Sequence, residues 1–127
     1  MVRLEEAEAL LKLGMPDGAY YLAGYAVECA LKACISKKTR RYEFPDIETV
    51  RSSYTHDLRQ LVKVAELETA RKEQAAKDRE FGNNWELVRD WSEKSRYRRN
   101  ETDSAKLFLK AVGDRRHGVF PWIKQRW

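Results

Sequence analysis

The chain of 127 residues is long enough to bury one hydrophobic core and too short for two of ordinary size, which favours a single domain over residues 1–127. Charged residues make up 35% of the chain and hydrophobic residues 43%, and the few glycines (6) and prolines (3) favour long helices over many turns. No strand pattern competes with the helical ones.

The charge is unevenly distributed along the chain. The formal net charge is +5, but residues 1–36 carry three basic and five acidic side chains, so the remainder carries +7. Such a basic remainder permits binding to phosphate-rich partners, although solubility alone explains many charged surfaces. The first six residues are acidic and lack an apolar core, so they do not resemble a secretory signal, and we expect a cytoplasmic protein.

The longest apolar stretch runs from Asp17 to Ser36 and contains two interior charges, Glu28 and Lys32. Apolar side chains cover most of its helical surface, which predicts a helix buried on most sides. Small residues such as Gly24 would let neighbouring elements approach closely. The two charges leave no uncharged span of roughly 18 to 20 residues, so the stretch is predicted to be a core helix and not a membrane span.

A shorter amphipathic helix is predicted before this stretch, from Arg3 to Leu13. Gly14 is suited to ending that helix, and Pro16 is suited to opening the next one. The two helices should therefore form an antiparallel hairpin.

The remainder of the chain predicts further helices separated by loops. Residues 44–54 lack periodicity and read as a connecting loop, after which Thr55 is the expected N-cap of a third helix with Asp57 in its first turn. The later segments are an exposed helical extension over 68–80, a break at Gly82–Asn84, a short helix over 85–94, a strong helix over 102–115, and an aromatic terminal segment that caps the bundle or faces a partner. The sum is an all-α, up-down four-helix-type bundle with one or two short additional helices.

Two basic segments are candidate surfaces for RNA or a nucleotide, because they combine cations with, in one case, an aromatic ring. Solvated surface charge is the alternative interpretation of both. The first segment consists of Arg96, Tyr97, Arg98 and Arg99, and the second of Lys37, Lys38, Arg40 and Arg41.

Glu28 and Lys32 are spaced for a local ion pair, which is the favoured interpretation and places them on the less buried face of the helix. The alternative places them in the dimer cleft, where the Glu28 carboxylate would position Arg96 or Arg99.

Neither a metal nor a cofactor is predicted. Cys29 and Cys34 stand about 140° apart on a helix, so they cannot chelate one metal together, and we expect both to be reduced, buried thiols. The chain has two histidines, and it contains no glycine-rich phosphate loop and no CxxC pair.

Several motifs together resemble the HEPN family over nearly the whole chain. They are the paired helices around LLKLGMPDGAYYLAGYAVECALKA, the THDL start at Thr55, the W-x5-W-x4-RY pattern ending at Tyr97, and the terminal HGVFPWI. The resemblance implies an α-helical bundle, commonly homodimeric, in prokaryotic defence or toxin–antitoxin settings, often beside a minimal nucleotidyltransferase. It also implies, for many members, a metal-independent RNase with an Arg-x4-6-His motif.

This sequence departs from that motif. Arg99-Asn100 resembles its beginning in the expected late region, but no histidine follows at the allowed spacing, and the same holds from Arg96 and Arg98. Arg51 and His56 have the spacing, yet they straddle a loop away from the usual place, which favours a capping or packing role for His56. His117 fits no such spacing and is expected to end or cap a helix.

The leading hypothesis is therefore a HEPN-like homodimer that binds RNA or a nucleotide in a toxin–antitoxin-like or defence system without the usual catalytic histidine. One alternative is an atypical metal-independent endoribonuclease, with Arg96, Arg99, Asn100 and His56 as weak catalytic candidates. Another is a purely protein-binding partner of a minimal nucleotidyltransferase.

Overall fold

The computed structural model of the chain describes residues 2–41, 47–97 and 99–127. Within these ranges the chain forms eight α-helices and one 3₁₀ helix, and it forms no strand. The α-helices are α1 (Val2–Lys12), α2 (Pro16–Arg41), α3 (Ile47–Ser52), α4 (Leu58–Val64), α5 (Glu68–Lys77), α6 (Arg79–Val88), α7 (Thr102–Gly113) and α8 (Val119–Lys124), and the 3₁₀ helix spans Glu93–Tyr97. The all-α fold class is confirmed, with more short helices than the one or two expected.

The α1–α2 hairpin forms as predicted. Gly14 adopts a positive φ of 76°, which a residue without a Cβ adopts at little cost, and Met15 N–H donates to the Leu10 carbonyl at 2.9 Å. Pro16 then opens α2. These features end α1 and turn the chain so that α1 packs along α2.

Helix α2 is the central element, since α1, α4, α7, α8 and the 3₁₀ helix all pack against it. Its Gly24 lies under the indole ring of Trp91, so closely that a Cβ at this position would overlap the ring. The predicted close approach at small residues is thus seen here. The helix continues past Ser36 to Arg41, because Lys and Arg are good helix formers and their charges are favourable at a helix C-terminus.

Four predictions of local structure are wrong. Residues 47–52 form α3 and not a loop, because a helix of six residues is too short to show an apolar period. The N-cap of α4 is Asp57, whose Oδ1 accepts the Arg59 N–H, whereas Thr55 Oγ1 accepts the Asp57 N–H.

The break between α5 and α6 falls at Asp78 and not at Gly82–Asn84. The Asp78 carboxylate accepts the Phe81 N–H at 3.1 Å and caps α6, while Gly82 lies inside α6 against Ala75. Helix α6 ends at Val88, six residues before the predicted end at Lys94.

The C-terminal helices complete the core. The apolar face predicted for α7, which includes Ala105, Phe108 and Val112, is buried. Helix α8 packs on α2, α6 and α7, and its Trp122 ring lies 5.2 Å from the Phe81 ring. The terminal aromatic segment therefore caps the bundle. None of the described helices is long and apolar enough to span a membrane.

Candidate functional site

His56 lies in the segment between α3 and α4, with its imidazole ring between two carboxylates. Its Nδ1 is 2.8 Å from Glu28 Oε1, and its Nε2 is 3.2 Å from Glu93 Oε2. The side chains differ in exposure, at 45% for His56, 3% for Glu28 and 41% for Glu93. Three elements thus meet at one ring, namely α2, the start of α4 and the start of the 3₁₀ helix.

The local sequence fixes the backbone that presents this ring. The Thr55 hydroxyl accepts the Asp57 N–H at 3.1 Å, and the Asp57 carboxylate accepts the Arg59 N–H at 3.0 Å. These side chain to backbone bonds close the turn ahead of α4 and hold His56 between them.

The buried carboxylate of Glu28 explains why the ring is held there. A carboxylate taken out of water requires a positive or hydrogen-bonding partner, and His56 and Lys32 supply two, with Lys32 Nζ 3.5 Å from Oε2. The predicted pair of Glu28 with Lys32 is therefore present. Glu28 is buried, contrary to the expectation of a less buried face, whereas the Lys32 side chain is 34% exposed.

The alternative pairing of Glu28 with Arg99 does not form. The backbone N–H of Asn100, next to Arg99, donates to Asp17 Oδ1 at the start of α2. Glu28 lies eleven residues further along α2, roughly 16 Å at 1.5 Å per residue, which is more than an arginine side chain spans. The side chain of Arg96, the other arginine of this alternative, lies outside the described residues, and the described partners of Glu28 are His56 and Lys32.

A cleft of about 410 Å³ opens beside the exposed edge of His56. Its walls carry both signs of charge, since cations and carboxylates alternate around the ring. The lining residues are Thr55, His56, Asp57, Arg59, Arg89, Asp90, Trp91, Ser92, Glu93 and Lys94. Of the cations that line the cleft, Arg89 pairs with Glu86 at 2.8 Å, and Arg59 is 3.9 Å from Asp57. Lys94 has no ion pair among the described side chains.

Two N–H groups of this cleft's residues are buried without a hydrogen-bond acceptor among the described residues. They are Nε of Arg89 and Nε1 of Trp91. Buried donors are normally satisfied, so each such group in a folded protein is a marker of strain or of an acceptor that arrives with a ligand.

The first predicted basic segment follows this cleft in the chain. The 3₁₀ helix that carries Glu93 and Lys94 ends at Tyr97, and the side chain of Arg99 is exposed. Arg98 lies outside the described residues, and so do the side chains of Arg96 and Tyr97.

The second basic segment lies at the opposite end of α2. Lys37 is twenty residues beyond Asp17, which corresponds to roughly 30 Å along the helix. Lys38 Nζ pairs with Glu66 at 2.9 Å, and Lys37 Nζ lies 3.4 Å from the Trp127 carbonyl. The side chains of Arg40 and Arg41 are outside the described part of the structure. Among the described side chains, Lys37 and Lys38 therefore lie far along α2 from the Asp17 end, where the Asn100 N–H bonds.

His117 has a structural role between α7 and α8. Its Nδ1 is 2.8 Å from Asp78 Oδ2, and its carbonyl accepts the Asn84 side-chain N–H at 2.9 Å. The hydrogen bond with Asp78 raises the pKa of His117, and the same bond lowers the pKa of Asp78. The contact ties the α7–α8 turn to the N-terminus of α6.

The two cysteines differ from the expectation in one respect. Cys34 is buried, and burial raises the pKa of its thiol, but Cys29 is exposed on α2. Both are free thiols. In the described part of the chain no group of three or more His, Cys, Asp or Glu side chains is arranged to hold a metal ion.

Sequence reasoning did not find Glu93 and did not pair Glu28 with His56. A signal for the pair existed, because an acidic residue inside an apolar helix needs a partner and His56 is one of two histidines. No comparable signal marks Glu93, which is one of several acids in a charged, irregular stretch.

Comparison with known proteins gives one family. A model described as the HEPN domain matches residues 2–117 of this chain. No curated protein and no solved structure gave a significant match.

Proposed function

Since the chain belongs to the HEPN domain family, we propose that it is an RNA-binding module and that single-stranded RNA binds at the cleft beside His56. The observation that carries this proposal is the cleft itself, where Arg59 and Lys94 flank an imidazole fixed by the buried Glu28. Cations attract the phosphates, and a cleft of this size accepts a base that is not stacked in a duplex.

Arg99, which lies beyond the end of the 3₁₀ helix and towards the start of α2, adds a cation outside the cleft. Its exposed guanidinium lies five residues beyond Lys94, so one strand of RNA can contact both. Lys37 and Lys38, at the other end of α2, are not part of this surface in the same chain.

Binding is tested with a fluorescently labelled single-stranded RNA and anisotropy at several salt concentrations. We expect Arg59→Ala and Arg99→Ala each to weaken binding by roughly 3- to 30-fold and to lower the salt dependence by about one phosphate contact. Lys72→Ala is the matched control, because Lys72 is an exposed cation on α5 outside the cleft. Equal losses in all three variants would show that only net charge matters.

Competition separates RNA from a free nucleotide as the ligand. A mononucleotide that displaces the RNA at similar concentration would favour a nucleotide site. Absence of any RNA binding at low salt would favour the third hypothesis, a protein-binding module.

A metal-independent endoribonuclease is the second candidate function, and the contact between Glu28 and His56 favours it. A carboxylate that holds one ring nitrogen orients an imidazole for proton transfer at the other. In such a reaction His56 would take the proton from a ribose 2′-hydroxyl as that oxygen attacks the adjacent phosphorus atom, while the bond from phosphorus to the 5′ oxygen of the next nucleotide breaks and that oxygen takes a proton from solvent. Cleavage of labelled RNA in the presence of a chelator, lost in His56→Ala, would establish this activity.

The dimer and the protein partner are extensions from the family. We place the homodimer interface on the open strip of α2, where Tyr25, Cys29, Ala33 and Ser36 are uncharged and exposed or half-exposed. A toxin–antitoxin-like or defence role beside a minimal nucleotidyltransferase is proposed on family membership alone. Co-purification with the product of the adjacent gene tests it.

A further inference from the structure

The two carboxylates that face His56 are held very differently. Glu28 is buried in α2, so it is fixed by the core. Glu93 is 41% exposed and opens a 3₁₀ helix, a conformation with weaker hydrogen bonds than an α-helix. Of the two contacts to the ring, the one at Nε2 is therefore the easier to exchange.

The Nε2 edge suits an anionic oxygen. A ring nitrogen that carries a proton donates to an acceptor oxygen, and the two nitrogens of His56 have carboxylate oxygens at 2.8 Å and 3.2 Å. An oxygen of a phosphate is an acceptor of the same charge type as the carboxylate oxygen of Glu93. The unsatisfied Nε–H of Arg89 belongs to a residue that lines the same cleft, whereas the Trp91 indole packs on Gly24 of α2.

We propose that Glu93 is an internal competitor for the ligand, because its carboxylate occupies the position at His56 Nε2 that a phosphate oxygen takes when an anion binds. The inference rests on the proposed RNA binding for its natural ligand, a phosphodiester. It adds a specific closed state, in which the cleft is blocked by the side chain of the chain's own Glu93. Binding then requires Glu93 to leave the ring, and this exchange lowers the affinity for RNA.

The direct test compares Glu93→Gln with Glu73→Gln in the RNA anisotropy assay. Glu73 is an exposed acid on α5, so both variants change the net charge by the same amount. We expect Glu93→Gln to tighten binding by about threefold to fivefold, the range of an exposed ion pair, and Glu73→Gln by less than about twofold. Equal affinities for the two variants, or weaker binding by Glu93→Gln, would overturn the proposal.

A second readout separates this proposal from RNA binding itself. In the protein labelled with ¹⁵N-histidine, the ring signals of His56 are followed while inorganic phosphate is added, and His117 serves as the internal reference. We expect the His56 signals to shift at lower phosphate concentration in Glu93→Gln than in wild type, with His117 unchanged. Identical titrations in both proteins would contradict an occluding role.

The two assays fail in different ways. If no variant binds RNA but phosphate shifts His56 more readily in Glu93→Gln, the proposed RNA function fails and the occluded anion site stands. If RNA binds equally to Glu93→Gln and Glu73→Gln, and phosphate shifts the His56 signals of Glu93→Gln and wild type at the same concentration, RNA binding stands and the role of Glu93 fails.

Discussion

At the scale of single residues, the site depends on a carboxylate that the fold places away from water. Glu28 is 3% exposed, and its oxygens lie 2.8 Å from the His56 ring and 3.5 Å from Lys32 Nζ. A buried acid is stable only with such partners, so the position of His56 is set by the core as much as by its own loop. The same contact that stabilises the fold orients the ring for a ligand.

Replacing Glu28 by Gln should destabilise the protein by about 1–3 kcal/mol, because the amide cannot serve two cationic or donor partners as the carboxylate does. Urea unfolding measures the change. Glu6→Gln is the control, since it removes an exposed carboxylate 2.6 Å from Arg3 and should cost less than about 1 kcal/mol. A Glu28→Gln protein as stable as wild type would show that the pair contributes nothing.

His117 and Asp78 should make stability depend on pH. The pKa of His117 is raised above its ordinary value of 6.5, so its contribution is present below that value and is lost as pH rises through the folded-state pKa. The pKa of Asp78 is lowered below 3.8, so its contribution is present above 3.8 and is lost as pH falls through the folded-state pKa.

The difference in unfolding free energy between wild type and His117→Gln should therefore be largest from about pH 4 to pH 6.5 and should shrink towards about pH 9. Urea denaturation at a series of pH values measures it. A difference that stays constant over this range would mean that the contact with Asp78 is independent of charge.

At the scale of elements, apolar periodicity predicts the long helices correctly. It does not predict helix ends that are set by a single capping side chain. The helices α1, α2 and α7 follow apolar patterns long enough to read. The sequence predicts the break between α5 and α6 at Gly82–Asn84. The break lies at Asp78 instead, because the Asp78 carboxylate accepts the Phe81 N–H and caps α6. Helix α3 carries no readable pattern, because six residues contain fewer than two turns.

Gly24 gives the sharpest test of packing between elements. In an ordinary helix position Gly→Ala adds about 1 kcal/mol of stability, but at Gly24 the new Cβ would overlap the Trp91 ring. We expect Gly24→Ala to destabilise by about 1–3 kcal/mol in thermal or urea unfolding.

Gly82→Ala is the matched control, since it lies inside α6 and its Cβ would meet Ala75 at 3.4 Å, an ordinary contact. It should be neutral or stabilising by up to about 1 kcal/mol. If Gly24→Ala behaves in the same way, Trp91 does not pack on α2 as described.

At the scale of the whole molecule, α2 places Lys37 and Lys38 far from its Asp17 end, where the Asn100 N–H bonds, and it carries an open strip of uncharged residues. Its charges could be read from the sequence, but the distance between the segments could not, because it depends on where residues 93–100 cross α2. The meeting of Glu28, His56 and Glu93 could not be read from the sequence for the same reason. His56 follows Glu28 by 28 positions and precedes Glu93 by 37, and only the packed structure brings the three together.

The homodimer is tested by a charge placed on the open strip of α2. Cys29→Arg should convert a dimer into a monomer in light scattering, because two such charges would face each other across a two-fold interface. Ala76→Arg is the control, as Ala76 is exposed on α5. A wild type that is monomeric, or a Cys29→Arg protein that stays dimeric, would contradict this interface.

The most direct test of the central claim is to locate RNA on the protein. Amide chemical shifts of the ¹⁵N-labelled chain are followed by NMR while a short single-stranded RNA is added. The account predicts that the largest changes occur at residues 55–59 and 89–94, around the His56 cleft, and continue to Arg99. Changes confined to Lys37 and Lys38 at the other end of α2, or no changes at low salt, would contradict it.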